Sequence, residues 1–108
     1  MKIKELTEKL GLSVLCEGDP ERECTGCYCG DLLSWVMSRA KENDIWLTVM
    51  GNVNAVAVAV LTDCACIVLT ENSALDGEAQ MRALQQGVTI LRSDKNAYEL
   101  SALISKLL

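Results

Sequence analysis

The sequence predicts one α/β domain: a mostly parallel β-sheet with helices on both faces, in three α/β/α layers. Two observations lead there. Short β-branched or aliphatic runs at residues 45–49, 65–69 and 88–91 alternate with longer segments of helical periodicity. The stretches between those runs are long enough for the crossover that parallel strands require, usually a helix. The chain of 108 residues has material for a single core, because half of it is hydrophobic. With aromatics at 4% and no Phe, that core must be aliphatic.

Each element has its own signal. Ile3, Leu6 and Leu10, set among Lys and Glu, predict a first helix over residues 3–10 that Gly11 ends. Residues 12–16 read as a strand, and Glu17, Gly18, Asp19 and the only proline, Pro20, as a turn. Residues 21–31 read as a turn-rich stretch opening an amphipathic helix whose face is Leu32, Leu33, Val36, Met37 and Ala40. Asp31 is expected in the first turn of that helix, where its charge favours the dipole. Residues 41–44 end this helix, and residues 45–49 form a strand.

Residues 55–61 alternate Ala and Val, but both are apolar, so the alternation separates no faces. The need for a crossover before the strand at residues 65–69 favours a helix, capped by Asn52 or Asn54, with Asp63 at its end. A helix over residues 75–86, with Asp76 and Glu78 as N-terminal acids, stops at Gly87. A strand follows over residues 88–91. Ser93 or Asp94 is expected to cap a last helix whose face is Ala97, Leu100, Ile104 and Leu107.

Composition excludes several functions. The net charge is −5, with 10 basic residues scattered among 15 acidic ones, which argues against a nucleic-acid partner. The longest apolar run, residues 55–61, is far below the roughly 20 residues that span a bilayer, so no membrane partner is expected. The first residues lack the shape of a signal peptide, which implies a cytoplasmic protein with reduced or metal-bound cysteines. With no histidine there is neither a Ser-His-Asp triad nor a Cys-His dyad. No G-x-x-x-x-G-K-[ST] loop is present to cradle phosphates. The expectation is a protein that is not an enzyme.

Candidate binding residues fall in two places. In open parallel sheets ligands bind beyond the carboxyl ends of the strands, which here offer Gly51, Asn52, Asn54, Thr70 and Asn72. The second place is the turn expected at Thr25, Gly26, Cys27, Tyr28, Gly30 and Asp31, where a helix start would offer backbone N–H groups to an anion. Capping loops and a structural turn are the plainer reading of both.

Three of the six cysteines, Cys24, Cys27 and Cys29, form C-x-x-C-x-C, and Cys16 is available as a fourth ligand for zinc or an iron–sulfur cluster. Cys64 and Cys66 are expected on one face of a strand. Against a metal, Cys24, Cys29, Cys64 and Cys66 all stand where Val or Ala would serve as packing. Cys27, between Gly26 and Tyr28, is the thiol that packing explains least.

The run Glu21-Arg22-Glu23-Cys24-Thr25-Gly26-Cys27-Tyr28, followed by Asp31-Leu32-Leu33-Ser34, resembles the signature of the DRTGG domain. The likeness extends over residues 51–59, Gly87-Val88-Thr89-Ile90-Leu91 and Ala97-Tyr98-Glu99-Leu100. The domain is also similar to the non-catalytic N-terminal domain of HPr kinase, without the kinase domain. The family occurs in phosphotransacetylases and, beside CBS domains, in regulated pyrophosphatases, where adenine nucleotides are effectors and the domain joins subunits.

The resemblance therefore implies a regulatory or adaptor module that forms a homodimer and takes a small anionic ligand such as an adenine nucleotide. Its motif positions are Arg22, Thr25, Gly26, Tyr28 and Asp31. Two departures stand out: Glu21 replaces the leading Asp, and Cys27 the second Gly. Cysteine-bearing members resemble accessory proteins of anaerobes with iron–sulfur or hydrogenase-like partners, so a metal or redox role for the cysteines stays open. So does a purely structural dimerisation subunit.

Overall fold

In the computed structural model, which describes residues 1–108, ten elements follow in order. They are α1 (Ile3–Leu10), β1 (Ser13–Cys16), β2 (Gly26–Cys29), α2 (Leu33–Arg39), β3 (Asp44–Thr48), α3 (Val53–Thr62), β4 (Cys66–Leu69), α4 (Gly77–Gln86), β5 (Ile90–Arg92) and α5 (Ala97–Leu107). The sheet order is β1-β5-β4-β3-β2, with β1 antiparallel to β5 and every other pair parallel. The expected three layers are present.

Strand alternation builds two cores. On one face Trp46, Ile67, Leu69 and Ile90 meet Val36 of α2, Val56 and Ala59 of α3, and Ala79 and Ala83 of α4. On the other Ile45, Leu47, Cys66, Val68 and Leu91 meet Ile3 and Leu6 of α1 and Leu100 and Ile104 of α5. The three crossover helices thus share one face, and the two terminal helices cover the other. Aliphatic residues supply nearly all of this packing, with Trp46 the one aromatic that is wholly enclosed. Its indole N–H donates to the Gly30 carbonyl at 2.9 Å, which satisfies the group that burial would otherwise strand.

The helix predicted over residues 55–61 is α3, and Asn52 is its cap, accepting from the Ala55 N–H at 2.9 Å. Asp63 ends it in a left-handed conformation. Four expectations are corrected. Residues 26–29 form an edge strand rather than a turn, because pairing with β3 satisfies their backbone on one side. Asp31 lies ahead of α2, and its carboxylate accepts from the Thr48 hydroxyl (2.8 Å) and the Val49 N–H (2.9 Å) instead of serving the helix. Asn96, not Ser93 or Asp94, caps α5 through a reciprocal box with Glu99, at 2.9 and 3.2 Å. Cys64 and Cys66 belong to opposite cores, since Cys64 precedes the strand instead of starting its alternation.

Leu100 is fully buried while Tyr98 is 82% exposed. Leu100→Ala is therefore expected to cost about 2–5 kcal/mol in urea denaturation, and Tyr98→Ala about 0.5 kcal/mol or less.

Candidate functional site

The motif segment starts as a strap beneath the sheet. Because β1 and β2 are opposite edges, residues 17–25 must pass from one to the other at the amino ends of the parallel strands. The strap is held by the Gly18 N–H on Thr89 Oγ1 (3.0 Å), the Lys4 N–H on the Pro20 carbonyl (3.0 Å) and the Cys24 N–H on the Met1 carbonyl (2.7 Å). Glu21 bridges Lys2 and Lys4, both at 2.7 Å, and hydrogen bonds from those two ammonium groups lower its carboxyl to about 2. These groups lie at the surface, so their weight in stability is small.

Arg22 is the fastening of the strap. Its Nη2 donates to the Asp63 carbonyl (2.6 Å), to Asp63 Oδ1 (2.9 Å) and to Asn43 Oδ1 (3.0 Å). Asn43 and Asp63 both have left-handed backbones, with φ of 68° and 55°, so one guanidinium ties two chain reversals together. Asn43 extends the ladder by donating its N–H to the Asp63 carbonyl and accepting from the Thr25 N–H. Gly26 is explained by contact alone: a Cβ there would stand 2.5 Å from Asp44 Oδ1, while Asp44 Oδ2 accepts from the Lys41 N–H at 2.8 Å. Both Arg22 and Gly26 have structural duties.

Beyond Gly26 the motif runs along β2 and separates into two ends. Thr25, Gly26, Cys27 and Tyr28 line an open cleft of about 450 Å³ with Arg39, Lys41, Glu42 and Asp44. The Arg39 guanidinium stacks 3.7 Å above the Trp35 ring, which limits its freedom. Gly30 and Asp31 lie at the far end of the strand, about 13 Å of extended chain away. The six residues of the predicted turn are therefore spread along an edge strand instead of gathered around one point.

The candidates at the carboxyl ends are similarly divided. Asn52 is committed to its cap, and Asn54 is exposed on the first turn of α3. Gly51 permits the loop after β4 to approach, since a Cβ there would overlap the Ala74 carbonyl. Thr70 is buried, and its N–H donates to the Thr48 carbonyl at 3.0 Å. Only Asn72 reaches a cleft, one of about 390 Å³ that it shares with Ser13, Arg92, Asp94 and Lys95. The sequence reading missed Arg39 and Lys41, whose sole signal was positive charge at the end of a helix.

The cysteines do not form the four-ligand set. Cys16 is on β1 and Cys27 and Cys29 on β2, four strand spacings apart, or about 19 Å. Cys24 is buried beside Cys66, and Cys66 is pushed up by its hydrogen bond with Cys24 and by burial. Burial likewise raises Cys16 and Cys64. No three His, Cys, Asp or Glu residues stand together as a metal site. Zinc or a cluster on Cys16, Cys24, Cys27 and Cys29 requires a different chain path. Cys29 also departs from its expected packing role, being exposed along with Cys27.

Two substitutions test the structural duties. Arg22→Lys is expected to lose about 1–3 kcal/mol in denaturant unfolding, because an ammonium cannot reproduce the fork to Asn43 and Asp63. Gly26→Ala is expected to lose a similar amount, about 1–3 kcal/mol, and clearly less on an Asp44→Ala background, where the clashing oxygen is gone.

The crystal structure of the CBS and DRTGG domains of the regulatory region of Clostridium perfringens pyrophosphatase, complexed with the activator diadenosine tetraphosphate, has the same fold. It matches over 99% of this chain with a TM-score of 0.77 and 12% identity. This chain covers 47% of that one, about half its length. No curated protein matches the chain. No helix is long and apolar enough to cross a membrane. The family model described as the DRTGG domain matches residues 5–107, nearly the whole sequence, including the strap, the Arg22 fastening and the β2 edge. This chain belongs to the DRTGG domain family.

Proposed function

We propose that this chain is a non-catalytic regulatory module that binds a small anionic ligand, with adenine nucleotides as the first class to test, and signals through a self-associating surface. The observation that carries this reading is the cleft at the β2 edge, where Arg39 and Lys41 stand beside Thr25 and Tyr28. Its volume of about 450 Å³ suits a small molecule. Arg39, already oriented on Trp35, presents a planar fork of the kind that binds phosphate oxygens. Glu42 and Asp44 also line the cleft, so its formal charges balance and selection of an anion rests on the Arg39 fork, while Asp44 Oδ2 is held by the Lys41 N–H at 2.8 Å. The regulatory region of the pyrophosphatase, bound to diadenosine tetraphosphate, supports the choice of nucleotides.

A regulatory role also agrees with the state of the carboxylates. In the cleft Asp44 is engaged by the Lys41 N–H and Glu42 is the only other carboxylate, so no pair of free carboxylates stands ready for acid–base work. The surface for self-association is the outside of α3 and α4, where Val60, Leu61, Met81 and Leu84 stay exposed, the last three by 66–70%. A shallow groove lined by Ala57, Val60, Leu61 and Arg82 lies between these helices. A two-fold pairing would cover this apolar area with itself, and a partner protein is the other way to cover it. A cytoplasmic setting belongs to the same reading.

Thermal unfolding with AMP, ATP and diadenosine tetraphosphate tests the ligand. At a hundred times its Kd a ligand adds about 2.7 kcal/mol, a rise of about 10 °C or more in a domain of this size. The rise is expected to vanish in Arg39→Glu/Lys41→Glu and to persist in Arg92→Glu, which alters the other cleft. No rise with any nucleotide in the unaltered protein would remove the nucleotide reading. Light scattering tests the second part: the unaltered chain is expected at twice its monomer mass, and Leu61→Glu/Leu84→Glu at the monomer mass.

A further inference from the structure

The four parallel strands do not all send the chain to the same side. β2, β3 and β4 lead into α2, α3 and α4 on one face of the sheet, whereas β5 leads into α5 on the other. β4 and β5 are therefore the one pair of neighbouring parallel strands whose connections leave on opposite faces. In open parallel sheets the crevice beyond the carboxyl ends of such a pair is the place where ligands bind. Here residues 70–76 after β4 and residues 93–96 after β5 bound it.

The two loops are held against each other. The Glu71 N–H donates to the Lys95 carbonyl and the Asn72 N–H to the Ser93 carbonyl, both at 2.9 Å. Glu71 and Asn72 adopt left-handed backbones to do so, with φ of 55° and 53°, a conformation that a Cβ disfavours. Beside this rim opens the cleft of about 390 Å³ that Asn72, Arg92, Ser93, Asp94 and Lys95 share with Ser13 of β1.

The cleft offers donors that the chain itself does not use. Ser93 is only 8% exposed; its Oγ accepts from the Lys95 N–H at 3.1 Å, and its own proton goes to no acceptor of the chain. Arg92 and Lys95 are half-buried, yet neither enters an ion pair, unlike Lys2, Lys4 and Arg22. A cation partly withdrawn from water is stabilised by an anion brought to it. Asp94 is the single carboxylate of the cleft and is exposed, so solvent screens it. Two cations against one carboxylate leave this cleft positive, whereas the charges of the β2-edge cleft balance.

We propose that the crevice between the β4 and β5 loops is a binding site for a phosphate dianion, either inorganic phosphate or the monoester of a small molecule. Arg92 supplies a planar fork for two phosphate oxygens, Lys95 a point charge and the Ser93 hydroxyl a further donor, with the Asn72 amide at the rim. A dianion has oxygens to accept all of these and no proton of its own to place. The crevice lies at the opposite end of the sheet from the cleft of Arg39 and Lys41, so nothing in it depends on whether nucleotides bind there.

Amide NMR of the full chain tests this, by titration with sodium phosphate at about pH 7.5, where the second phosphate proton has left, and at constant ionic strength. Saturable shifts are expected at the amides of Asn72, Ser93, Asp94 and Lys95, and none at those of Gly26 and Lys41. Arg92→Gln is expected to weaken the affinity by about tenfold or more, and Ser93→Ala by several-fold. Lys106→Gln, which removes the same charge at the far end of α5, is expected to leave it unchanged. Glycerol 2-phosphate separates the two sources: tighter binding than phosphate assigns the site to a phosphorylated small molecule, and equal or weaker binding to the free ion. No saturable shift in these loops with either compound would overturn the proposal. So would an unchanged affinity in Arg92→Gln with its spectrum showing an intact fold, or an equal loss in Lys106→Gln.

Discussion

The guanidinium of Arg22 is the contact on which the lower side of this domain depends. A five-stranded sheet whose first two strands occupy opposite edges needs a connection across its full width. Such a strap carries many backbone groups and little apolar surface, so it must be held by hydrogen bonds rather than by burial. Arg22 does this at a point where two left-handed reversals, Asn43 and Asp63, come together. The ends of α3 and of the α2–β3 connection are thereby linked to the entry of β2. Fixing the entry of β2 also fixes which of its residues face each core.

That arrangement decides what the motif can do. Arg22 and Gly26 look like binding residues in a linear reading, since one is cationic and the other permits close approach. In the fold they are consumed by structure: Arg22 closes the strap, and Gly26 makes room for Asp44. The positive charge left beside the motif comes from Arg39 and Lys41, which reach it from the end of α2 and the turn that follows. A regulatory ligand would therefore be held by residues from two elements that meet only because β2 and β3 pair in register. A ligand bridging them would couple the sheet edge to the crossover helices, and α3 and α4 carry the exposed apolar surface on that same side.

The thiols follow the same logic of position. Cys16 and Cys64 are buried as small hydrophobes would be, and desolvation suppresses their ionisation. An edge strand has no outer neighbour, so Cys27 and Cys29 escape that fate and interact with each other and with α5. Of the two thiols on that face, Cys29 is the one with a hydroxyl above it, Ser101 Oγ at 3.1 Å.

The architecture was legible in the sequence wherever local pattern and local chemistry agree. Apolar runs of strand length, Gly11 and Gly87 as helix stops, and the Asn52 cap are properties of a few neighbouring residues, and each led to its element. The helical fate of the Ala/Val stretch was readable only through the length a parallel crossover demands. The motif itself misled, because Gly and Cys in residues 26–29 carry turn chemistry, and nothing local shows that β3 will pair with them. Likewise C-x-x-C-x-C is a ligand pattern in sequence, but alternation along β2 and the opposite-edge placement of Cys16 disperse it. Sequence alone determined the class, the order of elements and the aliphatic cores, because those depend on periodicity and composition. Only tertiary structure decided which cations meet the motif and which thiol meets Ser101, because those pairings join residues distant in the chain through strand register and helix placement.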